Sequence, residues 1–400
     1  MLSPDWARRP LDGNLLLTGA TGFVGAALLA ETLASTQTDV ACLVRSGDER
    51  EARGRVLAAL RPWLGVERAE ASLERVRALP ADITSPSLGL SERTWHELAE
   101  WSTHIVHCAA TVRFDEPLAT ARAVNVAGVQ RVIDLARAAD GAGSLARVLM
   151  VSTAFVAGTT TRPFAEHELD LGQDFRNTYE RSKFEAEQMV RRAATDLPIC
   201  VVRPSIVVGH SVSGQTTAFN VLYAPLRLFI RHAGSATLPV RAGTTIDTVP
   251  VDWVAHLVLA ALAGGRDGET YTAASGYDAL TAGDLAGIAA EVFDIDPPCV
   301  LPADASDEVV LQAVHAWGQR LPSRQAAALE VYTPYLVREA RFDSWRGEHL
   351  MQLAGGRFAD PRVVMTRCLE YARATNFGRL RADASRRAQR TPIGERSAVA

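Results

Sequence analysis

Tyr179 and Lys183 stand four residues apart in Tyr-Glu-Arg-Ser-Lys, and Lys183 is the only lysine in the chain; of the 42 Lys and Arg residues the other 41 are arginine. In a sequence so biased, charge alone at 183 is expected to come as a guanidinium. An ammonium is different: a compact charge on a flexible stem, with a pKa that its surroundings can shift and no planar fork imposed on its partners. Residues 179–194 read as helix, so the spacing of four raises both side chains from one face, a turn apart. An ammonium about 4 Å from a phenol, at an effective dielectric near ~20, favours the phenolate by roughly 4 kcal/mol, or about three pKa units on a value near ~10. That is expected to bring the tyrosine into range for proton transfer near neutral pH. The bland alternative is a surface helix with a chance Tyr–Lys pair.

A hydroxyl partner stands upstream. RVLMVSTAFVAG (147–158) reads as a strand with Ser152 and Thr153 at its end, where a hydroxyl can hydrogen-bond a substrate carbonyl beside the tyrosine. Hydroxyls at strand ends also often bond only backbone. The residues between Thr153 and Tyr179 leave room for a loop and a return into the tyrosine helix.

Near the start, NLLLT (14–18) leads into GATGFVG (19–25) and an Ala/Leu-rich helical stretch to about Leu33. In this order Gly19, Gly22 and Gly25 let the backbone turn tightly, approach a pyrophosphate and pack the helix on a sheet, with the helix N-terminus facing the anion. The spacing is G-x-x-G-x-x-G rather than G-x-G-x-x-G, and a plain turn before a helix is the alternative. DVACLVR (39–45) is the second strand. An NAD-preferring site usually places an acid near its end; this chain has Arg45, with Asp48 and Glu49 only later. A guanidinium there suits the 2′-phosphate of NADPH. Arg53 and Arg55 could assist, or belong to a solvated helix face.

The elements that must position these residues alternate. A charged amphipathic helix is expected over 47–78, then a third strand at 76–79 with Asp82 and Ile83 at the sheet's carboxyl edge, where an adenine could lie. A fourth strand, THIVHCAA (103–110), ends in residues small enough for close approach of a dinucleotide. A helix follows over 119–139, within which Asn125 is read as structural more than catalytic. ICVVRPSIVVG (199–209) is a sixth strand, apolar before Arg203-Pro204. Alternation then lapses over 210–243, where FNVLYAPLRLFIRH (219–232) is a candidate acyl-chain wall or lid, or simply core. A helix at 247–262, a strand at 269–275 and helices at 281–294, 305–320, 322–331 and 360–374 complete the pattern. The fold expected is α/β: a Rossmann-type doubly wound parallel sheet with a smaller, mostly helical C-terminal substrate lobe. Residues 1–209 and 244–277 are assigned to the sheet domain, 210–243 and 278–381 to the lobe, and 382–400 to a disordered tail.

Composition bounds the rest. Four hundred residues, 48% apolar and 22% charged, suit an ordinary globular protein, and a net charge of −4 leaves no electrostatic footprint for nucleic acid. The five cysteines lie without metal-ligand spacing and are read as reduced thiols of a cytoplasmic protein. No metal site is expected. The first residues have no apolar signal core, and no run reaches the length of a membrane span.

With TGATGFVG, VSTAFVAG and the Tyr179–Lys183 pair in hand, the chain resembles the extended short-chain dehydrogenase/reductase superfamily. HCAATVRFDEPL (107–118) with NVAG (125–128), VRPSIVVG (202–209) and DTVPVDWV (247–254) resemble the fatty acyl-CoA reductases and the terminal thioester reductase domains of carboxylic acid reductases and peptide synthetases. The likeness is strong over 14–275 and thin beyond. It implies that Tyr179 donates a proton to the developing oxyanion, that Lys183 depresses its pKa and holds the nicotinamide ribose, and that Thr153 shares the carbonyl. It further implies Gly19, Thr21, Gly22, Phe23, Val24 and Gly25 around the pyrophosphate, Arg45 on the 2′-phosphate, and Asp82 and Ile83 at the adenine. Ala109 and Ala110 would line the path to the nicotinamide, with Pro204 and Ser205 behind it. The activity implied is NADPH-dependent reduction of an acyl-CoA or acyl-carrier-protein thioester to an aldehyde, and on to an alcohol in a second cycle. No adenylation or carrier segment is expected ahead of this region, and the thioester is expected to arrive from elsewhere. Other extended-family activities, a nucleotide-sugar epimerase or dehydratase or a hydroxysteroid-type dehydrogenase, are the alternative, and a dinucleotide-binding sensor without turnover is a third. Chain length, carrier, product and oligomeric state are left open.

Overall fold

Apolar runs alternating with helical segments become a parallel sheet because each strand, covered on both faces, can bury nearly every side chain it carries. The computed structural model describes residues 11–231 and 237–380. The expectation for 382–400, and part of those for 210–243 and 219–232, lie outside the described residues. The chain runs β1 (Leu15–Thr18), α1 (Phe23–Ser35), β2 (Val40–Val44), α2 (Glu49–Leu64), α3 (Val66–Ser72), β3 (Val76–Pro80), α4 (Glu92–Trp101), β4 (His104–His107), α5 (Leu118–Asn125), α6 (Ala127–Gly141), β5 (Arg147–Val151), α7 (Thr178–Ala193) and β6 (Ile199–Pro204). It continues through β7 (Ile206–Val208), α8 (Tyr223–Arg231), β8 (Leu238–Arg241), β9 (Thr245–Ile246), β10 (Thr248–Pro250), α9 (Val251–Gly264), β11 (Thr270–Ala273), β12 (Leu280–Thr281), α10 (Ala282–Phe293), β13 (Val300–Leu301), α11 (Asp307–Arg320), α12 (Ser323–Val337), α13 (Trp345–Leu353) and α14 (Pro361–Ala374).

Seven strands form one sheet in the order β11-β6-β5-β4-β1-β2-β3, every pair parallel. Strand order reverses between β1 and β4, and the crevice outside the carboxyl ends at such a switch point is where ligands of doubly wound folds bind. One apolar layer packs α1, α2 and α9 on the sheet; the other packs α4, α6 and α7 on its opposite face. Three smaller cores lie beyond among the described residues. One joins α8, α10 and α14, another β8, α11 and α12, and a third gathers Val156, Phe164, Phe184 and Phe342.

Several expected elements are shorter or broken. The 47–78 helix divides at Gly65, and the 119–139 helix divides at Val126. The fifth strand leaves the sheet after Val151 into a 3-10 turn at Ala154–Ala157, so Ser152 and Thr153 sit at a strand end. The sixth strand ends at Pro204, and β7 turns away to pair with β10. Helix α12 runs on to Val337, past the expected 331. Helix α13 was not expected; it packs against β11 and α9, on the sheet rather than on the lobe.

Candidate active site

Helix α7 begins where the Asn177 side chain accepts the Glu180 N–H at 3.0 Å. Its apolar stripe faces the sheet, which brings Tyr179 and Lys183 to one side, over the end of β5. There Lys183 Nζ donates to the Val151 carbonyl at 2.9 Å. The Thr153 hydroxyl hydrogen-bonds the Tyr179 phenol and accepts the Phe155 N–H at 3.3 Å. Ser152 turns the other way, donating to Glu187 Oε2 at 2.6 Å, so the two adjacent hydroxyls have separate partners.

Electrostatics departs from the sequence expectation. Burial pushes the Tyr179 phenol up to about 12, with the Thr153 bond opposing the shift and Glu180 and Cys108 adding to it. Burial likewise lowers Lys183 to about 8, against the raising influence of Cys108 and Glu187. The packing that brings the pair together also strips water from both, and desolvation penalises phenolate and ammonium alike. Tyr179 is therefore a neutral phenol near pH 7. That is the protonation state a proton donor needs.

At the switch point Gly19 adopts φ +79°, and a Cβ there would lie 2.7 Å from the Ala109 nitrogen. A Cβ on Gly25 would lie 2.1 Å from the Gly19 carbonyl oxygen, so neither position admits a side chain. Helix α1 starts after Gly22 with no side-chain cap and no acid in its first turn. Its first N–H groups are thus free to meet an anion. This donor set, with backbone close on both sides, fits the pyrophosphate of a dinucleotide.

A cavity of about 500 Å³ gathers Gly19, Gly22, Phe23, Val24, Gly25, Ala110, Ser152, Thr153, Tyr179, Lys183, Pro204 and Ser205. Thr21 and Ala109 do not line it, and Arg45, Asp82 and Ile83 lie off it beyond the ends of β2 and β3. Arg45 is exposed. Two of the acids after it serve their own helix: Asp48 accepts the Glu51 N–H at 2.7 Å, and Glu51 accepts the Gly47 N–H at 2.7 Å. Arg53 and Arg55 bond the carbonyls of Leu73 and Arg45. The Asp82 carboxyl is held below its ordinary value, first by the Thr84 hydroxyl and N–H, then by Arg45 and Arg131. The Ile83 side chain packs near Gly128, and its carbonyl accepts from Arg131 at 3.1 Å. Asn125 is fully used, exchanging bonds with Thr111 backbone at 2.9 and 3.1 Å and donating to Ser182 at 2.9 Å.

Beyond Tyr179 the cavity becomes apolar. Phe114 lies 5.8 Å from the Tyr179 ring, 6.1 Å from Tyr332 and 5.7 Å from Tyr335, and Phe155 lies 5.7 Å from Tyr335. The walls behind are Leu226, Phe229 and Ile230 of α8, Leu238 and Val240 of β8, Leu285 and Ala289 of α10, and Leu329 and Leu336 of α12. Helix α8 is both wall and core, since Tyr223 on it is buried in the neighbouring cluster.

Several residues important to this geometry escaped the sequence. Glu187, one turn past Lys183, is paired with Arg203 of β6 through Nε at 3.1 Å to both carboxylate oxygens, and both side chains are buried. Glu180 accepts from the Tyr335 hydroxyl at 2.7 Å, which in turn accepts from Asn177 at 2.6 Å. Asp247 is buried beside the cavity, its carboxylate taking the N–H groups of Ser275 and Gly276, each at 2.9 Å. Arg203 carried the available signal: a guanidinium inside an otherwise apolar strand requires a buried partner. Among the described residues no group of three or more His, Cys, Asp or Glu could hold a metal ion, and no helix is long and apolar enough to cross a membrane.

A seven-stranded parallel sheet in this order, with a glycine turn at its switch point and a Tyr–Lys pair beside it, is the fold of an extended short-chain dehydrogenase/reductase. Residues 17–258 match the NAD-binding family described as male sterility protein, and the chain belongs to that family. It is 32% identical over 268 residues to the nonribosomal peptide synthetase asaC of Aspergillus flavus, covering 64% of this chain and 25% of that protein. The aldehyde reductase lnaA of the same fungus is 32% identical over 276 residues, with the same 64% and 25% covered. The chain thus spans about a quarter of the length of these relatives. Among solved structures, the terminal R domain of the myxalamid PKS-NRPS biosynthetic pathway superposes with a TM-score of 0.77 at 27% identity, covering 91% of each chain. The reductase domain of a nonribosomal peptide synthetase from Mycobacterium tuberculosis shares the fold, with a TM-score of 0.69 at 21% identity over 94% of this chain and 97% of that one.

Proposed function

We propose that this chain is an NADPH-dependent reductase of acyl thioesters, taking an acyl-CoA or an acyl-carrier protein to an aldehyde, with an alcohol following from a second cycle. The observation that carries this is the continuity of one cavity from the glycine turn, past Thr153, Tyr179 and Lys183, into a chamber walled by leucines and aromatics. A hydrocarbon chain gains from burial there, whereas sugar hydroxyls would lie desolvated and unpaired. The relatives that are peptide synthetases and aldehyde reductases support the same choice.

When bound, the dihydronicotinamide supplies hydride to the carbonyl carbon. The Thr153 hydroxyl and the Tyr179 phenol hydrogen-bond the carbonyl oxygen and stabilise the charge that develops on it. Tyr179 then gives up its proton to that oxygen, and the resulting hemithioacetal loses thiol to leave the aldehyde. Lys183 is held over the β5 end, where its ammonium can reach a ribose hydroxyl and stabilise the tyrosinate formed. The free N–H groups of α1, with Gly19, Thr21, Gly22, Phe23, Val24 and Gly25, hold the pyrophosphate. Asp82 and Ile83 flank the adenine, Ala109 and Ala110 the path inward, and Pro204 and Ser205 the back of the nicotinamide site. Arg45 takes the 2′-phosphate, and the two acids Asp48 and Glu51 that follow it are committed to capping α2.

The direct test is NADPH oxidation, followed by absorbance, against a panel of acyl-CoAs and acyl-carrier proteins. Oxidation with thioesters and aldehyde in the product supports the assignment; oxidation only with nucleotide sugars or sterols overturns it. Arg45→Ala is expected to weaken NADPH by about tenfold or more, the size of a lost charge-assisted contact, while sparing NADH. Equal losses in titrations of both would remove Arg45 from the phosphate site.

A further inference from the structure

Among the described residues, four charged ones border the cavity: Lys183, Asp247, Arg338 and Glu339. Three are committed. Lys183 donates to the Val151 carbonyl, Asp247 takes two backbone N–H groups, and Glu339 takes the Thr245 N–H at 2.8 Å and the Arg341 guanidinium at 2.9 Å. Arg338 is engaged only through its backbone, its N–H donating to Pro334 and its carbonyl accepting from Arg176. The residue is exposed, and its guanidinium has no hydrogen-bond or ion-pair partner among the described residues.

Its position adds meaning to that freedom. Arg338 ends α12 in an extended conformation, φ −128° and ψ 115°. Three residues earlier, Tyr335 stacks within 5.7 Å of Phe114, which lies 5.8 Å from the Tyr179 ring. The aromatic cluster therefore separates a reacting centre inside from one uncommitted cation at the exposed rim. An apolar chamber with a single free guanidinium at its mouth suits a ligand that is hydrocarbon at one end and anionic at the other.

We propose that Arg338 binds the phosphate of the phosphopantetheine arm, the anion common to coenzyme A and to the prosthetic group of carrier proteins. This rests on the thioester reductase function proposed above: acyl chain in the chamber, thioester at Tyr179, phosphate at the rim. A guanidinium presents paired N–H donors that match two phosphate oxygens, which an ammonium cannot do. Because the site is exposed, the contact acts on substrate capture rather than on the chemical step, and it weakens with salt.

The test uses two thioesters of one accepted acyl group that differ only in the phosphate: acyl-4′-phosphopantetheine and acyl-pantetheine. Wild type is expected to favour the phosphorylated arm by about tenfold in kcat/KM, carried by KM, the size of one charge-assisted contact. In Arg338→Ala the ratio should fall to near one, and Arg338→Lys should retain part of it. Acyl-CoA and acyl-carrier protein should lose affinity together in Arg338→Ala. A ratio that persists in Arg338→Ala, equal losses on both pantetheine substrates, or a loss confined to acyl-CoA overturns the assignment. Wild-type turnover of both arms without discrimination overturns this inference alone, whereas no turnover of any thioester overturns the reductase function as well.

Discussion

Glu180 and Glu187 sit seven residues apart on α7, both buried and each beside an arginine, yet their surroundings drive them in opposite directions. Burial raises the Glu180 carboxyl, and Arg176 only partly offsets it. Burial would raise Glu187 too, but the Arg203 charge, its hydrogen bonds and the Ser152 hydroxyl hold that carboxyl below its ordinary value. The difference lies in what each must attach. Glu187 fastens the helix to β6 of the sheet through a fixed ion pair, while Glu180 meets Tyr335 of α12 through a phenol. One helix thus carries Tyr179 and Lys183 between a stiff attachment to the sheet and a softer one to α12.

Breaking the sheet attachment should have the largest effect. Glu187→Leu leaves Arg203 buried without its counter-charge, and a loss of about 3–5 kcal/mol in denaturant unfolding is expected. A loss under about 1 kcal/mol would mean that the two ends do not differ in stiffness. Between the attachments, Tyr179→Phe is expected to lower turnover by about a hundredfold or more while unfolding stays near wild type. A drop of about tenfold or less would hand the proton to another donor. At the lobe end, Tyr335→Phe removes one donor to Glu180 and one acceptor from Asn177, and about 1–2 kcal/mol should be lost, less than for Glu187. If unfolding instead shows the larger loss here, the comparison is inverted.

The smallest effect is in pH dependence, and it reports on Lys183 between the two. In the free protein its pKa is lowered to about 8, whereas that of Tyr179 is raised to about 12. On the proposed mechanism the active form needs the ammonium, so kcat/KM, which reports the free enzyme, should fall as pH rises through about 8. A plateau extending past about 10 would indicate an ordinary, solvated lysine.

How much of this was legible depended on whether an interaction is local in the chain. The Tyr179–Lys183 register, the glycine turn and the strand–helix alternation are encoded within a few residues, and the alternation appears in the order the pattern put it, although the expected helices divide at Gly65 and Val126 and the sixth strand ends early at Pro204. The direction of the Tyr179 shift was not legible, because desolvation depends on what covers the pair. Phe114, Tyr332 and Tyr335, which help cover it, come from distant segments. The Glu187–Arg203 pair was half legible: an arginine in an apolar strand announces a partner, but not which acid supplies it. Helix α13 was missed because its stretch lacks a strong apolar period, and packing against β11 and α9 decides its state.

Because Lys183 is the only side-chain amine in the sequence, is nearly sealed from solvent and carries a lowered pKa, an acylating or reductive-alkylating reagent should address one residue that matters. Labelling there would read out how often the crevice opens, and a bound dinucleotide should shield it. Footprinting by mass shift could then follow cofactor occupancy in a protein that needs no engineered reporter.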